Sequence, residues 1–565
     1  MIVKMKHLDI VCIAAGREEA LERLRSLGAV HLDLGGAAGA GVARARGEIE
    51  AAERAVHMIR SARAEYAKIS GAKEKPETRM RKVGEVLELA ADRAELLSAV
   101  EALDREIKEF DPYGDFDPAL AKKLIDRGVD FGEALPARLP EMRLSAMRER
   151  RESLLNRANV AAAKMACTDE NAVLAKHPEL RERMEFEQAR ELMTERGAVC
   201  AVSGWLPAPE AESFKAAARE AGWGFLLREP ADGETPPTLI EPPKPFMPMK
   251  ALFRGLGIAP AYTESDVSVP FMCYFSLFFA MLVGDGGYGA IFLAATLALR
   301  RKLPRSWFVL LTVFSFSTIA WGFVSDTWFG AHLFLKAQET RELVPRWPWA
   351  GALVGPALWL GDVSYHNMML LCFTIGVSHL MLARVWNGVC RLPDSTAVAE
   401  FGWAGVLLFM YLVTNFIVGI FTGIPQWAYW VFGASLVCVF GFTVKPSQLK
   451  TRGAELGMLP LNIMSALGDI ISYVRLFAVG LASVKVAENF NAMATGLVAG
   501  ADAVWFKALM SVAMVAVLVV GHGLNLAMAA LSILVHAVRL NTLEFSNHKG
   551  VSWAGYAFRP FKRSI

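Results

Sequence analysis

Arg475 lies deep inside an otherwise apolar helical run, residues 461–492. A guanidinium at the centre of a bilayer costs about 2.5–3.5 kcal/mol on insertion scales, so such residues are rare and mark ion or substrate paths. Counting three, four and seven positions along a helix puts Gly468, Ser472, Ala478 and Ala482 on the arginine's face. Small side chains of this kind let another helix approach closely in lipid. A second seam, Asn462, Ser465, Asp469 and Ser472, is spaced by three and four and runs from one helix end toward the arginine. On the last apolar helix His522, Asn525, Ala529, Ser532, His536 and Arg539 repeat that spacing, five of the six being polar among Val, Leu, Ala and Met. Polar lines on lipid-compatible helices point to a hydrated seam enclosed by protein.

The structural alternative is an ion pair between Arg475 and Asp469 that locks the bundle. At about 100° per residue the two fall on different helix faces, which argues against a tight pair. Other acids near apolar segments are Asp285, Glu488 and Glu544. Glu488 has two readings, an outer-path residue or a local partner of Lys485 at i, i+3.

These residues must be positioned by a membrane scaffold. The chain has 565 residues, 54% of them hydrophobic, and a mean hydropathy of +0.32, above the range of soluble domains. Most of the charge sits in residues 1–250, so a soluble half precedes a membrane half. A net charge of +3 gives no electrostatic case for nucleic acid. The 7 cysteines contain no CxxC pair, which argues for neither a disulfide framework nor a metal site. The N-terminus lacks a signal-peptide core, so the soluble half is expected to be cytoplasmic.

Residues 1–13 alternate as a strand, 17–27 read as an amphipathic helix ending at Gly28, and 29–34 as a second strand. After GGAAGAG (35–41) come long charged helices. Val86, Leu89, Leu96, Val100, Leu103, Ile107 and Phe110 keep a heptad register with Arg93 in the polar gap. Returning helices from about Glu141 to Lys164, and on through Arg196, are expected to complete an antiparallel coiled-coil hairpin. A turn-rich insertion at 111–131 caps its far end. Residues 197–230 then read strand, turn, helix, strand, a second α/β lobe mirroring the first. A Pro-rich extended stretch follows.

Apolar segments cover about 306–328, 366–385, 402–421, 427–444, 458–492 and 505–541, each near the ~20 residues that a bilayer needs. Residues 269–299 contain GDGGYG at 284–289, which interrupts a single helix. Lys and Arg cluster at 300–305, at Arg384 and Arg391, at Lys445, Lys450 and Arg452, and at 549–563. The opposite loops hold only Lys336, Arg341 and Arg346, so the basic side is cytoplasmic. Matching that side to a cytoplasmic N-domain needs an even count, with 269–299 crossing and returning. The fold expected is multidomain: cytoplasmic α/β lobes joined by an antiparallel coiled-coil hairpin (1–250), a linker (251–268), an all-α polytopic membrane domain of about eight transmembrane helices including two long tilted C-terminal helices (269–546), and a cytoplasmic tail (547–565).

SYVRLFAVGLA (472–482), HAVRLNTLEF (536–545), GDGGYG (284–289), EFGW (400–403) and GWLP (204–207) together resemble one family, the membrane subunit a (subunit I) of the V/A-type rotary ATPases. The resemblance implies that Arg475 faces a rotating proteolipid c-ring, with Arg539 as the second arginine beside it. It implies a non-catalytic stator subunit that binds peripheral stalk subunits, sits with the central stalk subunit in the complex, and couples H+ or Na+ movement to ATP hydrolysis or synthesis elsewhere. The region 114–206 is shorter than the family pattern, implying a reduced distal lobe. Ser483 stands where eukaryotic relatives carry histidine, the bacterial pattern. The two seams should face each other, so that Asn462, Ser465, Asp469, Ser472, Asn525, Ser532 and His536 line a cytoplasmic half-channel ending at Arg475. Ser483, Glu488 and Asn489 then belong to the outer path. The chain is expected in the plasma membrane, in contact with lipid, with both termini cytoplasmic.

The chain has no GxxxxGK[ST] phosphate loop, and nothing in it calls for a cofactor. A free-standing secondary transporter with a cytoplasmic regulatory domain is the competing reading, GDGGYG serving as its broken helix, but no inverted repeat supports it. A purely structural scaffold leaves both polar seams unexplained.

Overall fold

The structure, a computed structural model, describes the chain except residues 35–38, 71–78, 130, 132–135, 137, 232, 338–342, 346–354, 361–364, 445–453, 500–503 and 564–565. Arg341, Arg346, Lys445, Lys450 and Arg452, used above for orientation, lie outside the described residues. The fold is mostly helical with a small sheet. The chain divides into two compact units, Met5–Pro230 with Arg559–Ile565, and Met1–Lys4 with Ala231–Phe558.

In the first unit the strands are Met5–Ile13 (β1), His31–Leu32 (β2), Thr194–Arg196 (β3), Val199–Pro207 (β4) and Gly224–Arg228 (β5). The sheet order is β2-β4-β1-β5, with β3 on β4, and every pairing is antiparallel. Leu8, Ile10 and Cys12 of β1 bury against Leu21 and Leu24 of helix Arg17–Leu27 and Phe214 of helix Ala211–Glu220. Gly28 ends the first of these helices at φ +62, a left-handed position that glycine takes without a Cβ clash. This corrects the expectation of two lobes. The strand-helix-strand halves share one sheet, because each half alone has two strands and open edges. β1 closes both of its edges at once by pairing with β4 and β5.

Helices Ala40–Ser70, Val83–Phe110, Leu144–Ala166 and His177–Leu192 form the helical arm. Ala52, Ala55, Val56 and Ile59 of the first pack on Val86 and Val173, and Phe110, Leu144 and Met147 bury each other farther along. Arg93, the polar break in the apolar register, bonds Glu65. The last arm helix stops at Leu192 rather than Arg196, since Thr194–Arg196 pairs with β4 instead.

The second unit holds five helices long and apolar enough to cross a membrane among the described residues: Arg305–Ser325, His366–Arg391, Thr396–Ile417, Leu456–Val498 and Trp505–Lys549. The pair Ser268–Val283 and Gly286–Ala298 is bent by 117°, and Gln426–Phe442 is a shorter apolar helix. The bend falls at GDGGYG for a local reason. Gly284 sits at φ +71, and the Asp285 carboxylate accepts from Gly287 N and Tyr288 N at the start of the next helix, satisfying N–H groups that a helix start leaves open. Asp285 also accepts from Phe329 N and Gly330 N, each at 2.8 Å, tying the bend to a second turn. Part of the segment read as a linker, Met249–Leu256, is helical, with Phe253 packed edge-on to Phe271 at 5.0 Å.

Both long C-terminal helices depart from regular α geometry. The arginine helix is interrupted at Ser472–Tyr473, between Ala454–Ile471 and Val474–Ala499. Tyr473 is fully buried there, with its hydroxyl 2.9 Å from His379 Nδ1. The ring lies so close to Gly376 that a Cβ at that position would fall 2.5 Å from it. The last helix turns π-helical over Ile533–Ala537 and Leu540–Phe545. Face arguments that assume 3.6 residues per turn across Ser472 or beyond Ser532 therefore do not hold.

Candidate functional site

The π-turn sets the geometry around the arginines. Arg539 and Glu544 are five residues apart, about 140° apart on an α-helix, whereas a wider π-turn brings such positions onto one side. Glu544 Oε1 lies 3.5 Å from Arg539 Nε and accepts from Arg475 Nη1 at 3.3 Å. One carboxylate therefore bridges both arginines. Glu544 is buried, Arg475 is partly exposed and Arg539 more so. Glu544 Oε2 is buried with no hydrogen-bond partner among the described residues. One hydrogen bond from Arg475 and an ion pair with Arg539 hold the bridge.

The other seam residues separate into two groups. Asp469 does not meet Arg475. Its Oδ2 lies 3.0 Å from His548 Nε2. Ser472 Oγ donates to the Asp469 carbonyl at 2.6 Å. Asn462 and Ser465 are exposed, while Ser532 and His536 are half-buried; His536 lies within electrostatic reach of both arginines.

Asn525 belongs elsewhere than the sequence places it. It is fully buried and donates from Nδ2 to the Ser483 carbonyl at 2.8 Å and to Tyr288 Oη at 3.0 Å, while Ser483 Oγ donates to its Oδ1 at 3.1 Å. Tyr288 Oη lies 2.7 Å from His522 Nδ1, and His522 Nε2 lies 3.2 Å from Asn491 Oδ1. The two long helices run antiparallel, with contacts stepping through His522–Asn491, Asn525–Ser483, Glu544–Arg475 and His548–Asp469. Residues 469–475 thus meet 544–548, beyond the seam expected to face them, and Asn525 faces Ser483. Glu488 Oε2 pairs with Lys485 Nζ at 2.7 Å.

Around the arginines one side of the two long C-terminal helices is uncovered. Only 17% of the last helix's apolar window is buried, against 61% for Thr396–Ile417. Gly468, Ala478 and Ala482 are exposed, and a Cβ on Gly468 would meet nothing within 4 Å. Leu531, Leu534 and Val535 are exposed as well. Glu544 and His548 are the residues that spacing missed. The first sits in a π-turn, and the second lies past the expected helix end.

No protein-family model matches the chain. The chain is 33% identical over 407 residues to the V-type ATP synthase subunit I of Borreliella burgdorferi, covering 67% of this chain and 63% of that protein. It is 28% identical to the V-type ATP synthase subunit I 1 of Treponema pallidum over the full length of both. It is 24% identical to the A-type ATP synthase subunit I of Methanocaldococcus jannaschii, covering 75% of this chain and 63% of that protein. The matched part thus spans somewhat under two thirds of the Borreliella and Methanocaldococcus proteins, and all of the Treponema protein. With several membrane-capable helices and a pair of arginines joined through one buried carboxylate, this multi-pass membrane chain belongs to the V/A-type ATP synthase subunit I family.

Proposed function

We propose that the chain is the membrane stator subunit of a V/A-type rotary ATPase and moves H+ or Na+ past a proteolipid c-ring without ATP chemistry of its own. The observation that carries this reading is the Arg475–Glu544–Arg539 bridge beside an uncovered face of small and apolar residues. A ring carboxylate passing that face meets Arg475, and a fixed cation favours its ionised form. Arg475 then separates two half-paths. The cytoplasmic one includes Asn462, Ser465, Asp469 and Ser472, while Ser532, His536 and Arg539 fall between the Asn525–Ser483 and Glu544–Arg475 contacts, on the outer side of Arg475. The outer one runs by Ser483, Asn525, His522 and Glu488.

Eight crossings supply the scaffold: the five long helices, the short helix and the two arms of the bent pair. The first unit, with its helical arm, holds peripheral stalk subunits on the cytoplasmic side, the central stalk subunit lies nearby in the complex, and the location is the plasma membrane. The test is purification of the tagged chain from its native membrane, followed by oxidative cross-linking of Gly468→Cys and Ala482→Cys variants. Co-purification of a proteolipid and soluble ATPase subunits, with proteolipid cross-links at both positions, supports the reading. A chain purified alone and active in transport supports the secondary transporter.

A further inference from the structure

His548 is a buried imidazole that sequence reasoning passed over, and it stands between two charged side chains. Arg384 Nε donates to its Nδ1 at 3.1 Å, and its Nε2 lies 3.0 Å from Asp469 Oδ2. Arginine has only donors and keeps its protons, so the Nδ1 lone pair is occupied by the Arg384 N–H and the ring proton sits on Nε2. The tautomer is therefore fixed, and Nε2–H donates to the Asp469 carboxylate.

The surroundings hold every part of this arrangement. Arg384 Nη1 donates to Glu400 Oε2 at 3.1 Å, and its guanidinium lies 5.0 Å over the Trp403 ring. Glu400 Oε1 pairs with Arg391 at 2.8 Å. The EFGW motif thereby finds a role, since its first and last residues clamp Arg384. The His548 carbonyl accepts from Asn387 Nδ2 at 3.0 Å, and Lys549 Nζ donates to Asn387 Oδ1 at 2.7 Å. Asp469 is partly exposed, and its Oδ1 carries no hydrogen bond among the described residues. One carboxylate oxygen is thus held and the other remains open to an ion.

We propose that His548 is a positioning residue: its imidazole, locked by Arg384, holds Asp469 in place for ion transfer on the cytoplasmic side and does not itself carry the ion. A proton passed through the ring must leave by the opposite nitrogen, and Arg384 blocks that exit. This inference rests on the reading of Asp469 as part of the cytoplasmic half-path.

The chemistry names its own test, because glutamine offers one N–H donor and one carbonyl acceptor and can replace both bonds of this tautomer, yet cannot titrate. ATP-driven ion uptake is measured in vesicles containing the whole complex with His548→Gln, His548→Leu, Asp469→Asn and the His548→Leu/Asp469→Asn pair, with assembly checked by co-purification. His548→Gln is expected to stay within about twofold of wild type, and His548→Leu to fall by about tenfold, the scale of one lost buried hydrogen bond. The double variant is expected to be no slower than Asp469→Asn alone, because both remove one arrangement. An assembled but inactive His548→Gln overturns the proposal in favour of a carrier ring, and normal uptake by His548→Leu overturns it in favour of no role. If His548→Leu does not assemble, His548→Gln decides alone, its activity supporting the proposal and its inactivity contradicting it. Wild-type and Arg475→Ala vesicles run alongside test the path separately. Absent wild-type uptake, or normal uptake by Arg475→Ala, contradicts the path whatever the His548 variants do.

Discussion

Arg475 Nη1 and Glu544 Oε1 lie 3.3 Å apart although 69 positions separate them in the chain, and Glu544 reaches back to Arg539 through a π-turn. The pair fixes the end of the last helix against the arginine helix at the level where transport is proposed to happen. Glu544→Gln removes the negative charge shared by two guanidinium groups. We expect lower stability, by about 1–3 kcal/mol, the cost of disturbing a partly buried charged hydrogen bond. The melting temperature of the purified complex should fall, and coupled uptake should fall with it.

Asp285 predicts a different kind of loss. Its carboxylate accepts from four backbone N–H groups on two turns, and an Asn amide would turn a donor toward at least one of them. Asp285→Asn is expected to destabilise the bend by about 2–3 kcal/mol, the scale of a hydrogen bond to a charged group. Gly330→Ala should act on the same turn, since Gly330 has φ +68 and a Cβ there would lie 2.6 Å from that of Ala487. Thermal unfolding in detergent, with both variants melting below wild type, is the check.

Cys12 and Cys200 face each other across β1 and β4 with sulfurs 3.1 Å apart, both buried. Burial, with the neighbouring thiol, pushes the Cys12 thiol up to about 12. Only the thiolate alkylates, so at pH 8 the reactive fraction is about a thousandfold below that of an ordinary thiol. Mass spectrometry after maleimide treatment should show Cys12 unlabelled in the native chain and labelled after unfolding.

His31 supplies a pH signature in the first unit. Its Nδ1 accepts from Arg559 N at 3.0 Å, and burial holds its pKa below the usual 6.5. Below 6.5 the unfolded chain takes up a proton that the folded chain refuses, so stability is full above 6.5 and is lost as pH falls toward the depressed value. Glu185, pushed above 4.5 by burial, works with the opposite sign in a more acid window. Hydrogen exchange at residues 30–32 and at Arg559 and Phe561 should therefore stay level above pH 6.5 and quicken, after correction for intrinsic rates, as pH falls below 6.5. His31→Gln should weaken that dependence.

What the sequence made legible follows from range. Gly28 and the alternation of Met5–Ile13 are local signals, and the bend at GDGGYG is announced by glycines and a capping aspartate. The single sheet was hidden because β1 finds β4 some 190 positions away, and no local pattern specifies that partner. Arg475 stands out by its cost in lipid, and Arg539 by the helical spacing of the polar line it ends. Their joint partner Glu544 was seen only as an unassigned acid, because helical counting fails in a π-turn. The break at Ser472–Tyr473 carries no Pro or Gly, so it too left no mark. Asn525 was assigned to the wrong neighbours because spacing orders residues on one helix and says nothing of the register between two.

Arg475 is the residue on which the account depends. ATP-driven ion uptake by vesicles containing the assembled complex, compared between wild type, Arg475→Lys and Arg475→Ala, measures its role directly. Lysine keeps a charge but loses the planar fork and sheds its proton more easily in an apolar setting. We predict that both variants assemble and lose coupled uptake, while Arg539→Ala, whose side chain is more exposed, keeps part of it. Normal coupled uptake by an assembled Arg475→Ala complex would contradict the account.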